Sequence, residues 1–303
     1  MVNQTLQQMK TRYLFPAVFR ILGILMAVPG FVLGSLCVFK DYNIPGFVLH
    51  LRDHGYLDRS EFENMTNELA LILVMLGLLF IAFSKVKHED ELTARIRLNA
   101  LYWAILINYL VYAAWLIAAL VNLLIKVDLI ENILNNAFNF SLDNFFLPLV
   151  IFIARFYYLL YKSKNEYADT PLHFLPNKPY NVIGKGLSLI LLLPAIYVLL
   201  SFMTNNWQDI LFYLLPLVMV LWIYSKERVE DEYINAIRLD AMLIAVFVNY
   251  GILLLATLFC YGFEFMLVQQ ANLITIPLIF QIRFQYLLYR LRKQDAGSMT
   301  ICL

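Results

Sequence analysis

Long apolar runs separated by short polar segments extend along the whole of this chain. The runs are about 15 to 26 residues long, and a helix needs roughly 17 to 25 residues to cross the hydrocarbon core of a bilayer. The pattern therefore predicts eight membrane-spanning helices. They lie at about residues 20–39, 68–84, 100–125, 144–161, 183–203, 209–224, 241–261 and 266–289.

The composition agrees with this pattern. Hydrophobic residues make up 61% of the 303 residues and charged residues 15%, against about 25% charged in an ordinary soluble domain. The predicted fold class is therefore an all-α, polytopic integral membrane protein. A soluble enzyme and a nucleic-acid-binding protein are excluded, and the net charge of +1 indicates no polyanionic partner.

Lysine and arginine are distributed unequally between the two ends of the predicted helices. With the N-terminus in the cytoplasm, 17 of the 23 basic residues fall in cytoplasmic segments or at their borders. Only Lys40, Arg52, Arg59 and Lys126 fall outside. Because cytoplasmic loops of membrane proteins are enriched in these residues, both termini are predicted to be cytoplasmic.

Two blocks of this sequence occur twice. The first recurs at an offset of 141 and the second, residues 155–162 and 283–290, at an offset of 128. The first block reads Phe83-Ser84-Lys85, Glu89-Asp90-Glu91 and Ile96-Arg97-Leu98-Asn99-Ala100, and its second copy reads Tyr224-Ser225-Lys226, Glu230-Asp231-Glu232 and Ile237-Arg238-Leu239-Asp240-Ala241. A weaker match relates Arg20 to Lys185, at an offset of 165. Charged and aromatic residues match as well as apolar ones, so chance is a poor explanation.

The blocks predict that the chain is a duplication. Each copy contains four spans, an even number, so both copies have the same orientation and are related by an approximate two-fold axis along the membrane normal. The first copy covers 1–162, a cytoplasmic linker 163–182 and the second copy 183–303. The decreasing offsets indicate that the first copy has enlarged outside loops at 40–67 and 126–143.

The first block carries a resemblance. Its motif, Ser84-Lys85, Glu89-Asp90-Glu91 and Arg97-Leu98, resembles a motif of uncharacterised bacterial multi-pass membrane proteins. In those proteins the unit of about four spans occurs alone, often beside a transcriptional regulator. The resemblance covers about 40 residues per copy. It implies a fused duplicate of a unit that dimerises elsewhere, in a bacterial inner (plasma) membrane, and it implies no activity and no catalytic residue.

The repeated charged residues are the candidates for a charge cluster or a partner-binding surface. They are Glu89, Asp90, Glu91, Arg97 and Arg155, and in the second copy Glu230, Asp231, Glu232, Arg238 and Arg283. Arg155 and Arg283 are predicted to lie about two turns inside the membrane, where an arginine is costly unless it is paired. We expect both to pair with an acidic block. Such a network either pins neighbouring helices together or forms a surface for a ligand or partner.

Other candidates for chemistry are few. Asn108 and Asn249 lie in the middle of the third and seventh predicted spans, where they predict interhelical hydrogen bonds or, alternatively, the lining of a shared pocket. His50 and His54 have the spacing of some zinc ligands, but Gly55 follows directly, and we expect no metal. No cofactor and no catalytic residue are expected either.

Three functions are open on this sequence. The first is a non-enzymatic sensing, signalling or partner-binding module that presents the two charged clusters to a cytoplasmic protein. The second is a channel or carrier for a small or lipid-like solute, with its path between the two copies. The third, an intramembrane enzyme acting on lipid, requires clustered His, Asp or Ser, which the sequence lacks. The expected partners are the lipid bilayer, a cytoplasmic protein and a second copy of the chain, and not nucleic acid.

Overall fold

The structure is a computed structural model that describes residues 13–47, 64–86, 89–125, 146–165, 172–201, 206–227, 231–260 and 262–301. These residues form eight α-helices, and the described part contains isolated β-bridges but no β-strand. The helices are α1 Phe19–Lys40, α2 Thr66–Phe83, α3 Glu91–Ile125, α4 Leu147–Asn165, α5 Val182–Leu200, α6 Asn206–Ile223, α7 Glu232–Phe259 and α8 Gly262–Ile301. A short π-helical segment, Asn177–Asn181, leads directly into α5.

The prediction of an all-α membrane protein is confirmed for the described residues. Six helices are long and apolar enough to cross a membrane: α1, α2, α3, α5, α7 and α8. In α6 the apolar stretch is shorter, Ile210–Ile223. The arginine and lysines in the second half of α4 lower its hydropathy. The number of eight spans therefore stays a prediction.

Helices α3 and α7 begin earlier than predicted, at Glu91 and Glu232 instead of residues 100 and 241. The reason is an aspartate cap in front of each helix. The Asp90 carboxylate accepts a hydrogen bond from the Thr93 amide at 2.8 Å, and the Asp231 carboxylate accepts one from the Ile234 amide at 2.7 Å. A capped helix start satisfies amides that otherwise lack a partner, so the polar residues before each span continue the helix.

The chain divides into two compact units. The first unit comprises Leu14–Asp169 and Tyr250–Leu273, and the second comprises Met1–Tyr13, Thr170–Asn249 and Ile274–Leu303. Most of the predicted loop 40–67 and all of 126–143 lie outside the described residues.

In the first unit, small residues bring α1 and α2 into close contact. A Cβ atom added at Gly77 would lie 2.6 Å from the Ala27 nitrogen, and one added at Gly23 would lie 2.6 Å from the Gly77 oxygen. Helices in membranes pack through small residues because lipid supplies no hydrophobic force between them. The α1–α2 contact is therefore a backbone-to-backbone contact that larger side chains would separate.

In the second unit, α5 packs on α6 in a similar way. A Cβ atom added at Gly184 would lie 2.8 Å from the Trp222 nitrogen. Further along these helices an apolar cluster fills the contact. It consists of Ala195, Val198, Phe212, Leu215, Met219 and Ile274.

The outward faces of the helices are apolar. Leu25 on α1 is 66% exposed and Leu193 on α5 is 74% exposed. Exposed apolar faces of this size are unfavourable in water and fit the hydrocarbon of a bilayer. These faces are the surfaces that contact lipid.

Candidate functional site: two arginine caps

Arg97 lies near the start of α3, and only 1% of its surface is exposed. Its guanidinium donates hydrogen bonds to the Ala82 carbonyl at 3.1 Å and to the Glu89 carboxylate at 2.8 Å. The same group lies 4.5 Å from the centre of the Phe156 ring, in a cation–π contact. We call Arg97, Ala82, Glu89 and Phe156 the first arginine cap.

The cap acts on the end of α2. The last carbonyls of a helix have no partner inside the helix, and the guanidinium fork provides several fixed donors. The backbone beyond α2 is held as well, because the Phe15 amide donates to the Phe83 carbonyl at 2.9 Å and the Lys85 amide donates to the Phe15 carbonyl at 2.8 Å. The end of α2 and the backbone that follows it as far as Lys85 are therefore held by hydrogen bonds from Arg97 and Phe15.

Arg238 has the same position in the second unit and is also 1% exposed. It donates hydrogen bonds to the carbonyls of Ile223, at 2.9 Å, and Ser225, at 3.0 Å. Its guanidinium lies 4.8 Å from the Phe284 ring and 4.4 Å from the Phe174 ring. These five residues form the second arginine cap.

The acidic blocks are divided between different tasks. Glu89 binds Arg97 and also accepts a hydrogen bond from the Val86 amide at 2.8 Å. Asp90 and Asp231 are the helix caps described above. Glu91 is exposed and forms an i,i+4 ion pair with Arg95 at 3.4 Å. Glu230 and the side chain of Glu232 lie outside the described residues.

Arg155 and Arg283 have partners other than the predicted acidic blocks. Arg155 donates to the Asn99 side chain at 2.9 Å and lies 4.9 Å from the Trp103 ring. Arg283 forms an ion pair with Asp240 at 3.0 Å. The reason is depth: an α-helix rises about 1.5 Å per residue, so the first turn of α3 or α7 is too far away. Each arginine binds the polar residue on the adjacent helix at its own level.

The two predicted pocket residues differ. Asn108 is 6% exposed and has a partner. Asn249 is fully buried, and neither of its side-chain amide atoms has a hydrogen-bond partner among the described residues. Tyr109 follows Asn108 in the sequence, and its hydroxyl donates a hydrogen bond to the Leu273 carbonyl at 2.9 Å within the first unit. Asn249 is thus a buried polar group with unused hydrogen-bonding capacity.

Sequence reasoning missed several of the residues that build these contacts. Phe156, Phe284, Asn99 and Asp240 all belong to the repeated blocks, but the blocks alone do not show which members touch. The offsets of 141 and 128 between the repeated blocks were a usable signal, because a pair of residues in contact in one copy predicts the corresponding pair in the other copy. Sequence reasoning also missed a cleft in the second unit lined by Lys178, Lys185 and Arg292.

The described ranges hold no group of three or more His, Cys, Asp or Glu residues placed to bind a metal ion. His50 and His54 lie outside those ranges. No protein-family model matches the chain, and no curated protein or solved structure is similar to it.

Proposed function

We propose that this chain is a non-enzymatic membrane protein built from two tandem copies of one four-helix unit, and that it binds a cytoplasmic protein beside its first arginine cap. The observation that carries the proposal is an exposed ion pair, Glu91 with Arg95, on a helix start that a buried arginine holds in place. A rigid surface binds a partner without paying for its own ordering.

Recurring contacts support the duplication. Arg97 donates to the Ala82 carbonyl, and Arg238 donates to the Ile223 carbonyl. The two donors are 141 positions apart, and so are the two acceptors. The phenylalanines beneath the two guanidinium groups, Phe156 and Phe284, differ by 128. These are the two offsets of the sequence blocks.

The side-chain hydrogen bonds of Arg155 and Arg283 also recur at the offsets of 141 and 128. Their partners Asn99 and Asp240 differ by 141, and the two arginines differ by 128. A pair of unrelated helical bundles has no reason to place three such contacts at two shared offsets.

The glycine contacts favour another alignment of the first helices than the weak match. An added Cβ atom at Gly23 would lie 3.0 Å from the Ile81 nitrogen, and one at Gly184 would lie 2.8 Å from the Trp222 nitrogen. Ile81 and Trp222 are 141 positions apart, and the two glycines are 161 apart. These contacts favour an offset of 161 between α1 and α5, one helical turn shorter than the predicted 165. A four-residue shift keeps the same apolar face.

The duplication and the charge distribution together support eight spans with both termini in the cytoplasm. Four helices, α3 to α6, separate one arginine cap from the other. An even number of crossings places both caps on the same side, and the basic residues near them favour the cytoplasmic side.

The exposed surface beside the first cap suits a protein partner. The side chains of Glu91 and Arg95 are 56% and 61% exposed, and Leu92 between them is 44% exposed. A solvent-exposed ion pair contributes at most about 1 kcal/mol to stability, so these residues can be changed without unfolding the chain. At the corresponding positions the second copy has Glu232, Tyr233 and Ala236, and it lacks the ion pair.

The test is capture of the partner from native membranes. Glu91→Lys should abolish co-purification of a soluble protein while expression stays unchanged, because charge reversal places like charges across the interface. Glu264→Lys is the matched control, since Glu264 is an exposed acid in the first turn of α8. Reversal of Glu89 or Asp90 is unsuitable, because both residues hold the fold.

The double variant Glu91→Lys with Arg95→Glu separates binding from stability. It restores an ion pair within the helix, although with the less favourable orientation. Continued loss of capture in the double variant supports a partner surface. Capture equal to that of the unmodified chain in all three variants contradicts the proposal.

The second candidate function is a carrier or channel for a small or lipid-like solute. It is favoured by Asn249, whose buried amide has no partner among the described residues and is available to a passing polar group. In vesicles containing a fluorescent phospholipid, the chain should accelerate exchange between leaflets, and Asn249→Leu should slow it. A rate equal to that of protein-free vesicles would exclude lipid-like cargo.

A further inference from the structure

A cleft of about 1080 Å³ opens in the second unit, between the π-helical segment with the first turns of α5, the end of α6, the start of α7 and the last part of α8. Its volume is slightly above the usual range of about 300 to 1,000 Å³ for sites that hold a small molecule. All of these helix ends lie on the predicted cytoplasmic side. The cleft is therefore located where lipid headgroups meet the protein.

Three cations line the cleft: Lys178, Lys185 and Arg292. All three are exposed, and none has a hydrogen bond or an ion pair with another described residue. Two carboxylates also line it, but both already have partners: Asp231 caps α7, and Glu227 has an interaction of its own. The cations are thus the groups that remain available to a ligand, and they favour an anion.

Besides three polar amide residues, Asn177, Asn181 and Gln285, the remaining lining is apolar. Val182, Leu189 and Trp222 face the cleft together with Gly186, and Leu189 is 56% exposed. Further along the same helix Leu193 is exposed to the hydrocarbon. The cleft therefore has a basic end at the interface and an apolar floor that continues into the membrane.

We propose that this cleft binds one anionic phospholipid, with its phosphate among Lys178, Lys185 and Arg292 and an acyl chain along Leu189 and Trp222. Basic pockets between membrane helices on the cytoplasmic side are suited to anionic headgroups. A free phosphate compound would satisfy the cations but leave the apolar floor uncovered, and a zwitterionic lipid would cover the floor but leave the cations without counter-charge. An anionic phospholipid satisfies both parts.

The corresponding positions on α1 differ from those on α5. By the offset of 161 from the helix contacts, Lys185 and Gly186 correspond to Ile24 and Leu25 on α1. Both are apolar, and they are 48% and 66% exposed. At this offset α1 therefore has no cation at the position of Lys185.

Trp222 makes the binding measurable. The full chain is placed in phosphatidylcholine vesicles with a small fraction of phosphatidylglycerol carrying brominated acyl chains, which quench tryptophan fluorescence on contact. Brominated phosphatidylcholine is the comparison, and Trp222→Phe gives the background from the other tryptophans. We expect phosphatidylglycerol to quench Trp222 with about tenfold higher affinity, since each cation near the surface contributes to binding an anionic lipid.

Two variants test the two halves of the site. The triple variant Lys178→Gln, Lys185→Gln and Arg292→Gln should remove the preference for phosphatidylglycerol. Gly186→Phe should remove quenching by both lipids, because a Cβ atom there meets nothing within 4 Å and the ring can fill the cleft without a clash. Gly251→Phe is the matched control, since Gly251 also has open space, and it should leave quenching unchanged.

Each outcome of the quenching experiments either supports or overturns the proposed lipid site. Equal quenching by both brominated lipids overturns the proposal, as does a preference that survives in the triple variant. Displacement of the brominated lipid by soluble glycerol phosphate would identify a free phosphate compound as the occupant and would also overturn it. If the triple variant does not fold, loss of quenching in Gly186→Phe but not in Gly251→Phe supports the site, and unchanged quenching in Gly186→Phe contradicts it.

Discussion

Burial of Arg97 and Arg238 is compatible with a membrane protein because each guanidinium finds polar partners at its own depth. Arg97 has a carbonyl, a carboxylate and an aromatic face around it. Arg238 has two carbonyls and two aromatic faces. The desolvation of a buried charge is unfavourable, and these partners offset it. The arginines are thus structural groups whose main effect is to hold one helix end against the next helix.

Replacement of Arg97 by leucine tests this role. Arg97→Leu leaves the Glu89 carboxylate and the Ala82 carbonyl without their donor, and removal of one partner from a buried pair costs about 3 kcal/mol. The free energy of unfolding in detergent should fall by about that amount. Arg95→Leu, which breaks only the exposed pair with Glu91, should cost less than about 1 kcal/mol. Equal losses in the two variants would contradict a structural role for Arg97.

Asn249 should respond in the opposite direction. Its amide is buried and has no partner among the described residues, so Asn249→Leu removes an unsatisfied polar group of similar size. We expect the free energy of unfolding to rise by about 1 kcal/mol. A lower midpoint of thermal unfolding than in the unmodified chain would show that the amide does have a partner, such as an internal water molecule.

At the scale of elements, the first two helices pack closely because glycines at their contact have no side chains. Gly23 and Gly77 allow the backbones of α1 and α2 to touch, and each added methyl group would separate them. Overpacking of this kind costs typically 1–3 kcal/mol. The contact therefore requires glycine at positions 23 and 77, where the backbones touch, and not at every glycine of the two helices.

Alanine substitution at two glycines, one in close contact and one with more space, tests this requirement. Gly77→Ala places a Cβ atom 2.6 Å from the Ala27 nitrogen, whereas Gly34→Ala places one 3.7 Å from the nearest atom, the Ala70 Cβ. Gly77→Ala should lower the free energy of unfolding by about 2 kcal/mol. Gly34→Ala should be neutral or stabilising, since alanine favours a helix. A chemical denaturation series in one detergent measures both.

Elements were predictable from the sequence to different degrees. All eight apolar runs correspond to helices in the described part of the chain, because burial in lipid requires a long uninterrupted apolar stretch. The starts of α3 and α7 lie before the predicted spans, because hydropathy marks only the apolar part of a helix and not a polar extension such as the one that begins after Asp90 or Asp231. The basic cleft of the second unit was missed for another reason. Lys178 and Arg292 are more than 100 residues apart, and only the fold brings such residues together.

For the molecule as a whole, the central prediction is that the two copies point in the same direction. The same contacts at the same offsets support this arrangement, as does the number of helices between the caps. The even number of predicted spans in each copy leads to the same expectation, because two such copies in tandem have the same orientation. Orientation can be measured without knowledge of the function.

Labelling of introduced cysteines measures the orientation. After replacement of the native cysteines by serine, Glu91→Cys and Lys226→Cys should react with a membrane-impermeant maleimide only from the cytoplasmic side. Tyr42→Cys and Glu264→Cys should react only from the outside. Positions 42 and 264 are exposed and lie at the opposite ends of their helices. Labelling of positions 91 and 226 from different sides would contradict a parallel duplication.

The capture of the α2 carbonyls by Arg97 has a consequence for how this protein is made. During synthesis α2 leaves the ribosome before α3, and until Arg97 arrives the end of α2 has unsatisfied carbonyls. A chain that stops between the two helices therefore carries an α2 whose last carbonyls lack the Arg97 donor. The same holds for α6 and Arg238 in the second unit. Each of these helix pairs should accordingly enter the membrane and mature as one inseparable hairpin.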